Sequence, residues 1–265
     1  MRNVRLLIAY DGSRFFGWQR QDGFPSVQQA LEEAFGALTG QKLVVHGAGR
    51  TDTGVHALGQ VAHAHVDTRL DDDRLRHAVN FHLPEGAVVK RLETCRDDFH
   101  ARFEARLKRY MYVVATTRFR PPFGRQYAHW ICDPLDLAAM RRAASLLVGR
   151  HDFSAFASSG SPRKSPVRTL SALHFIARRE RLAVVMQADG FLYNMARAIA
   201  GTLLEVGMGK MAPEEVGRIL GSRDRRLAGP TAPPEGLYLV SVRYGERAFA
   251  GRDRSGRGVP GVFGG

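Results

Sequence analysis

A short loop, from Gly47 to His56, brings together side chains that could do chemistry. It reads Gly-Ala-Gly-Arg-Thr-Asp-Thr-Gly-Val-His, so Arg50 and Asp52 lie between glycines, after one predicted strand and before another. Glycines let a backbone approach a ligand closely, and functional side chains concentrate on loops. In an extended loop Arg50 and Asp52 project to the same side, which predicts a surface shaped for contact with a ligand. The structural alternative is that Asp52 caps a turn and Arg50 pairs with it.

A second candidate is the cation at position 197. The segment Phe191-Leu-Tyr-Asn-Met-Ala-Arg197 enters a predicted helix, and Arg197 stands alone among apolar residues. A buried cation within about 4–6 Å of a carboxylate favours its ionised form, so Arg197 could hold a catalytic carboxylate charged in a dry cleft. The structural alternative is an arginine that extends its head group from a buried helix to water.

A third candidate is an aromatic strand. In Arg106-Leu-Lys-Arg-Tyr-Met-Tyr112 the residues Lys108, Tyr110 and Tyr112 alternate, so they share one face. Aromatic rings flanked by cations can form a platform on which nucleic-acid bases stack. The structural alternative is a half-exposed strand with ordinary aromatic packing.

The charge balance indicates a polyanionic partner. The chain has 265 residues and a formal net charge of +13, from 39 Lys and Arg against 26 Asp and Glu. Arg supplies all but five of these cations, and its planar guanidinium pairs with phosphate and stacks on bases. Nucleic acid is therefore the first partner to consider.

Other classes of protein fit poorly. The two cysteines, Cys95 and Cys132, form no Cys-x-x-Cys motif, which argues against a disulfide framework and suits a reducing cytosol. The apolar stretches are too short for a signal-peptide core or a membrane span, so we expect a cytoplasmic protein. The glycine motifs lack residues that phosphate-binding or dinucleotide-binding loops require, so we expect no nucleotide cofactor. His63 and His65 share a strand face and could ligate a metal, but no third ligand is indicated and we predict none.

Periodicity and turn residues predict alternating strands and helices. The predicted helices are Ser26 to Gly40 with a Ser26/Gln29 capping box, Asp72 to Phe81, Asp133 to Gly149, Leu192 to Val206 and Pro213 to Leu220. The predicted strands are Val4 to Tyr10, Leu43 to His46, Leu58 to Val66, Val88 to Leu92, Leu107 to Ala115, Leu170 to Ala177, Arg181 to Gln187 and Leu237 to Tyr244. Short links and little continuous Val or Ile favour an α+β fold with a largely antiparallel sheet and packed helices.

The two parts of the chain follow a similar rhythm, which suggests an internal duplication. We predict two sheet-based halves, 1–104 and 105–249, that form a basic cleft. The first would carry the Asp52 loop, and the second would carry Tyr110 and Arg197. The Gly-rich, basic residues 250–265 predict a disordered tail.

Several motifs together resemble the TruA-type tRNA pseudouridine synthases, in the order and spacing of that family from about residue 4 to 244. The matching stretches are Tyr10-Asp-Gly-x-x-Phe-x-Gly-Trp-Gln19, Gly49-Arg-Thr-Asp-x-Gly-Val-His-Ala57, Phe99-His-Ala-Arg102, Arg109-Tyr-x-Tyr112, Gly149-x-His-Asp-Phe-x-Ala-Phe156, Pro166-Val-Arg-Thr169, Phe191-x-x-Asn-Met-x-Arg197 and Ala228-Gly-Pro-Thr-Ala-Pro-Pro-x-Gly-Leu-Tyr238.

The resemblance implies a role for several residues. Asp52 would be the catalytic carboxylate and Arg197 its partner, while Tyr110 would contact the target base and Leu237 would close the base pocket. We add Arg50, His56 and Lys108 as expected substrate-binding residues. The resemblance further implies a homodimer that acts on uridines 38, 39 and 40 of the anticodon stem-loop of tRNA.

The implied reaction needs no cofactor, because pseudouridine contains the same atoms as uridine. Asp52 would either attack ribose C1′ or act by proton transfer, and the sequence leaves both routes open. Two other classes of function remain alternatives. One is a non-catalytic RNA-binding module, which leaves the Asp52 loop unexplained, and the other is a metal-dependent hydrolase that uses His63 and His65.

Overall fold

A computed structural model describes residues 1–158, 165–245 and 249 of the chain. It divides into two compact units, the first containing Met1–Arg106 and the described residues that follow Leu237, the second containing Leu107–Leu237. The predicted tail, 250–265, lies outside the described residues. The predicted α+β class with sheet-based halves and largely antiparallel pairing is confirmed by the strands and helices below. Within the described ranges, no helix combines the length and apolar character needed to span a membrane.

Ten strands and five helices make up the regular structure of the described residues. The strands are β1 (Arg2–Tyr10), β2 (His46–Gly47), β3 (His56–Val66), β4 (Ala87–Thr94), β5 (Ala105–Ala115), β6 (His129–Trp130), β7 (Gly149–Asp152), β8 (Val167–Arg178), β9 (Arg181–Ala188) and β10 (Leu237–Tyr244). The helices are α1 (Val27–Thr39), α2 (Asp72–His82), α3 (Leu137–Ser145), α4 (Met195–Gly207) and α5 (Glu215–Ser222).

The first unit is a sheet whose strands run in the order β4-β1-β3-β10, with β2 paired beside β3. All of these pairs are antiparallel except β3 with β10. Val4, Leu6 and Ile8 of β1 are fully buried, as alternation on a half-covered strand requires. Helix α1 packs against α2, and α2 packs against β4, which gives the apolar residues of these elements a common core.

Helix α1 has the boundaries that its sequence predicts. Ser26 is its N-cap and accepts a hydrogen bond from the Gln29 amide at 3.2 Å. Gly40 ends the helix in the left-handed region, at φ 70°, which costs glycine no steric strain. Val27, Leu31 and Phe35 are fully buried, so the predicted apolar stripe is the packed face.

The second unit is an antiparallel sheet in the order β5-β9-β8-β7, with β6 paired parallel to β5. Helix α3 packs against α4, and α5 contacts β7. The predicted strands in this unit are confirmed, with ends that differ by a few residues.

Several predicted boundaries are wrong; for example, Gly149, predicted to end α3, begins β7. Helix α3 begins at Leu137 because Asp136, not Asp133, caps it by accepting the amides of Ala138 and Ala139. Helix α4 begins at Met195 rather than Leu192, since Asn194 has a left-handed backbone at φ 60°. Of the predicted strand at 43–46 only His46 lies in a strand, because β2 consists of His46 and Gly47, which pair with β3.

The last strand differs from our division of the chain. The sequence assigns residues 105–249 to one half, but Tyr238 and Leu239 of β10 pair with His56 and Ala57 in the first unit. The pairing is parallel, and parallel neighbours require a long crossover connection. Residues 67–237, which include α2, β4 and the second unit, form that connection, so no local pattern near residue 238 could indicate the pairing.

Helix α4 lies against the extended segment 229–232 with almost no space between the two backbones. A Cβ atom added at Gly201 would overlap the carbonyl oxygen of Pro230, and one added at Gly229 would come within 2.7 Å of the Thr202 Cα. The Gly229 amide donates to the Thr202 hydroxyl at 3.0 Å, in a buried position. This close approach fixes the segment that leads to β10.

We expect Gly201→Ala to destabilise the protein by about 1–3 kcal/mol, because the new methyl group would push the segment away from the helix. The matched control is Gly36→Ala in α1, where a Cβ meets nothing closer than the Gln41 oxygen at 3.5 Å. Helix propensity predicts a neutral or stabilising effect of up to about 1 kcal/mol for that control. Urea unfolding measures both, and equal stability of the two variants would contradict the packing described.

Candidate active site

The Asp52 loop is held by the segment that follows β1. The Trp18 amide donates to the Thr51 carbonyl at 3.0 Å, and the Val55 amide donates to the Asp52 carbonyl at 3.1 Å. Gly17 has φ 80°, and a Cβ there would be 2.6 Å from the Thr51 oxygen, so only glycine fits. The backbone on both sides of Asp52 is therefore fixed, and its side chain is half-buried.

Buried hydrogen bonds secure the residues before Asp52. The Tyr10 hydroxyl and the Thr51 hydroxyl are 2.8 Å apart, and the Gln60 amide nitrogen donates to the Gly49 carbonyl at 2.7 Å. Burial raises the pKa of Tyr10 to about 12, so its hydroxyl stays neutral and keeps this contact at physiological pH. Arg50 lies between Gly49 and Thr51 and is exposed, whereas Thr51 is buried.

His56 lies at the end of the loop and is almost fully buried. Its Nδ1 accepts the Gly12 amide at 3.0 Å, and its ring stacks on Tyr238 with the centroids 4.7 Å apart. These contacts tie the loop to the residues after β1 and to β10. They give His56 a part in positioning the loop, and its predicted contact with the substrate stays a prediction.

Arg197 lies in the first turn of α4, where two acceptors orient its guanidinium. Its Nε donates to the Ala232 carbonyl at 2.7 Å, and a terminal nitrogen donates to the Asn194 side chain at 3.1 Å. The Ala232 amide in turn donates to the Arg197 carbonyl at 3.1 Å. These bonds explain how an arginine is accommodated among apolar neighbours, and they depend on the close approach of α4 to segment 229–232.

Tyr110 and Lys108 lie on β5, and their alternation places both on one face. Tyr110 is 7% exposed, and its ring meets Phe191 edge-on with the centroids 4.8 Å apart. Lys108 is half-buried. The structure therefore orders the predicted base-contacting ring by packing it against the start of the Arg197 segment.

Leu237 follows a short turn that Tyr112 holds in place. The Tyr112 hydroxyl donates to the Pro233 carbonyl at 2.9 Å, and a Cβ at Gly236 would come within 2.7 Å of the Tyr112 ring. Burial raises the pKa of Tyr112 far above its ordinary value, so the hydroxyl remains a donor. Leu237 itself is 5% exposed.

A group of histidines in the first unit was not predicted from the sequence. The ring of His63 lies 5.1 Å from that of His46, 4.6 Å from that of His100 and 6.3 Å from that of His65. Among the described residues, no three His, Cys, Asp or Glu side chains converge as metal ligands would. His63 Nδ1 instead accepts the Ala101 amide at 3.2 Å. Only the pair His63 and His65 is visible in the sequence pattern, because the other two rings arrive through long-range packing.

The histidine group predicts a loss of stability in mild acid. Burial, with smaller contributions from His100 and His46, lowers the pKa of His63 to about 4, compared with about 6.5 in an unfolded chain. Between these values the unfolded chain binds a proton that the folded chain does not, so stability falls as the pH falls. We expect His63→Asn, which keeps an acceptor for the Ala101 amide, to remove up to about 1.4 kcal/mol per pH unit of that dependence.

Urea unfolding at several pH values between 7.5 and 4.5 measures this dependence. The control is His82→Asn, since His82 is exposed at the end of α2. The control should retain the wild-type slope of stability against pH. A His63→Asn variant with the same slope as wild type would show that His63 is not the group responsible.

Comparison with known proteins identifies the family. A family model described as tRNA pseudouridine synthase matches residues 6–104 and 143–245. The chain therefore belongs to the tRNA pseudouridine synthase family and is an isomerase, as the motifs of the Asp52 and Arg197 segments imply.

Individual relatives carry a more specific name. The chain is 46% identical over 244 residues to a protein from Acetivibrio thermocellus and 45% identical over 244 residues to one from Thermoanaerobacter sp. (strain X514). Each match covers 92% of this chain and 100% of the relative. A protein from Agrobacterium fabrum is 42% identical over 247 residues, covering 92% of this chain and 93% of the relative. All three are named tRNA pseudouridine synthase A.

Proposed function

We propose that this chain isomerises uridine to pseudouridine at positions 38, 39 and 40 of the anticodon stem-loop of tRNA, with Asp52 as the catalytic carboxylate. The observation that carries the proposal is the Asp52 loop. In a member of this family, a half-buried carboxylate stands on a backbone fixed by Trp18 and Val55. The relatives named tRNA pseudouridine synthase A support the choice of substrate.

The reaction breaks the bond from ribose C1′ to N1 of the base, turns the base, and joins C1′ to C5. The proton on C5 is lost and N1 gains one, so the product has the composition of the substrate and no cofactor is consumed. Asp52 either attacks C1′, forming a covalent ester, or assists by proton transfer. Both routes require an ionised carboxylate beside the ribose.

Arg197 is proposed to supply the cation that keeps Asp52 ionised. Its guanidinium is oriented by Ala232 and Asn194, so it can present a fixed positive charge. A fixed charge stabilises a carboxylate more than a mobile one, because no side-chain freedom is lost when the pair forms.

The target uridine must leave the stem before it can react, and unstacking costs a few kcal/mol. We propose that Tyr110 contacts the extruded base and that Leu237 closes the pocket over it. A single aromatic contact contributes roughly 1–3 kcal/mol, so further contacts to the RNA are needed. Arg50, Lys108 and His56 are proposed to contribute to substrate binding, and the exposure of Arg50 supports a contact with a phosphate.

The proposal includes a homodimer that works in the cytoplasm. The family resemblance supports the dimer, and the absence of a disulfide framework in the sequence suits a reducing compartment. Sedimentation of the purified protein at several concentrations tests the dimer.

Tritium release from uridine labelled at C5 tests the activity, because the C5 hydrogen leaves as the new bond forms. Purified protein should release tritium from an unmodified tRNA with uridines at 38, 39 and 40. A matched tRNA with cytidines at those positions should release none above background. Binding without release would favour the non-catalytic RNA-binding alternative, and activity that a chelator abolishes would favour the metal-dependent hydrolase.

A further inference from the structure

We propose that a pocket in the second unit binds a phosphate of the RNA substrate, at a nucleotide other than the target uridine. Three arginines, Arg120, Arg125 and Arg181, line it together with Phe123 and Trp130. We call it the arginine pocket. The inference rests on the proposed function for the identity of the ligand.

The size of the arginine pocket suits one nucleotide. Its volume is about 310 Å³. Ligand pockets of proteins span roughly 300–1,000 Å³, so this one is at the small end. It has room for a phosphate with part of its sugar or base, and it is too small for a stretch of duplex.

The charge of the arginine pocket favours an anion. Three arginines and one carboxylate residue, Glu235, line the pocket, so the lining has an excess of positive charge. Guanidinium groups bind phosphate oxygens with two parallel hydrogen bonds, which gives direction as well as attraction. Arg120 and Arg125 are exposed, and a ligand can reach both.

Aromatic rings beside these charges favour a nucleotide over an inorganic anion. Phe123, which lines the pocket, is 87% exposed. Phe119 directly precedes Arg120 in the chain and is 75% exposed, with the Arg118 guanidinium 5.3 Å from its ring centroid. Trp130 is fixed by its indole nitrogen, which donates to the Thr117 carbonyl at 3.0 Å. Exposed rings flanked by cations are typical of surfaces on which single-stranded bases stack.

The pocket also adjoins the segment that leads to Leu237. Pro233 and Glu235 form part of its wall, and Tyr112 holds Pro233 by a hydrogen bond of 2.9 Å. A nucleotide bound there would contact the same short turn that precedes Leu237. The segment from 115 to 130 lies between the two stretches that the family model matches, so the match assigns no role to it.

A second copy of this chain is the other occupant to consider. A symmetric dimer interface uses the same surface of both copies. An interface at this pocket would therefore bring the six arginines of the two pockets close together. Like charges in contact oppose association. The charge of the pocket therefore favours RNA.

The test is the salt dependence of binding to a labelled anticodon stem-loop RNA. Each phosphate contact that is lost reduces the slope of log affinity against log salt by about 0.7–0.9. We expect Arg120→Gln with Arg125→Gln to reduce the slope by about one and to weaken binding about tenfold near physiological salt. The matched control is Arg141→Gln with Arg218→Gln, two exposed helix arginines of the same unit, which should retain the wild-type slope.

Phe123→Ala tests the contribution of base stacking to RNA binding separately from that of charge. We expect it to weaken binding by about fivefold or more without changing the salt slope. Because Phe123 is 87% exposed, this variant should melt at the wild-type temperature.

Kinetics distinguish this inference from the proposed function. With the double arginine variant, KM for tRNA should rise while kcat at saturating tRNA stays within about twofold of wild type. If the wild-type protein forms no pseudouridine, the proposed function is wrong, but the salt slopes still test whether the arginine pocket binds RNA. Equal salt slopes for the double arginine variant and wild type would overturn the inference. A change in the oligomeric state of the variant on sedimentation would also overturn it, because it would assign the pocket to a second copy of the chain.

Discussion

Asp52→Asn should bind tRNA as tightly as wild type and form pseudouridine at least about a hundredfold more slowly. Loss of general acid–base catalysis alone costs roughly 10²–10⁴ in rate, and loss of a nucleophile costs more. The amide has nearly the same shape as the carboxylate, but it can neither attack C1′ nor accept a proton. The Asp52 backbone is fixed by the Trp18 and Val55 amides, so the loop should keep its conformation.

Tritium release from C5-labelled tRNA measures the turnover of this variant, and filter binding measures its affinity. The control is Asp22→Asn, which makes the same change of charge at an exposed position of the same unit. That control should retain wild-type turnover. Turnover of Asp52→Asn within about tenfold of wild type would remove Asp52 from the chemistry.

The second large effect is expected for Arg197→Ala, with a loss of kcat of about a hundredfold and little change in affinity for tRNA. A cation beside a carboxylate stabilises its negative charge, so the variant loses a charge that the proposed chemistry needs. Arg197→Lys restores the charge but cannot reproduce both bonds to Ala232 and Asn194, so it should recover turnover in part.

Arg225→Ala is the matched control for a structural effect. Arg225 donates to the Gly229 carbonyl at 3.0 Å and to the Thr231 hydroxyl at 2.8 Å, so it supports the same segment that contacts Arg197. It should lower the free energy of unfolding while kcat stays close to that of wild type. A wild-type kcat in Arg197→Ala would contradict the proposed partnership with Asp52.

Local sequence patterns predicted those features that depend on interactions between residues close together in the chain. The Ser26 cap of α1 and its terminal Gly40 are set by hydrogen bonds between residues three or four apart. Strands β1, β3 and β5 were also predicted close to their observed positions, although β3 and the second half of β5 are buried on both faces. The glycine-rich loop around Asp52 could also be identified from the sequence, because its composition suits only a tight backbone.

Features that depend on distant residues could not be predicted in this way. The parallel pairing of β10 with β3 joins Tyr238 to His56 across the whole second unit. The His63 group and the arginine pocket also assemble from separate elements, and the arginines concerned look like any others in a chain so rich in them. Helix α3 was misplaced because two acidic residues compete as its cap, and only the amides of Ala138 and Ala139 decide between them.

The most direct test of the central claim is to map pseudouridines in tRNA from cells that lack this protein and from the same cells complemented with either wild type or Asp52→Asn. We predict that positions 38, 39 and 40 carry uridine in the deletion, regain pseudouridine with wild type, and stay uridine with Asp52→Asn at equal protein abundance. Pseudouridine at those positions in the deletion strain, or its full return with Asp52→Asn, would contradict the account.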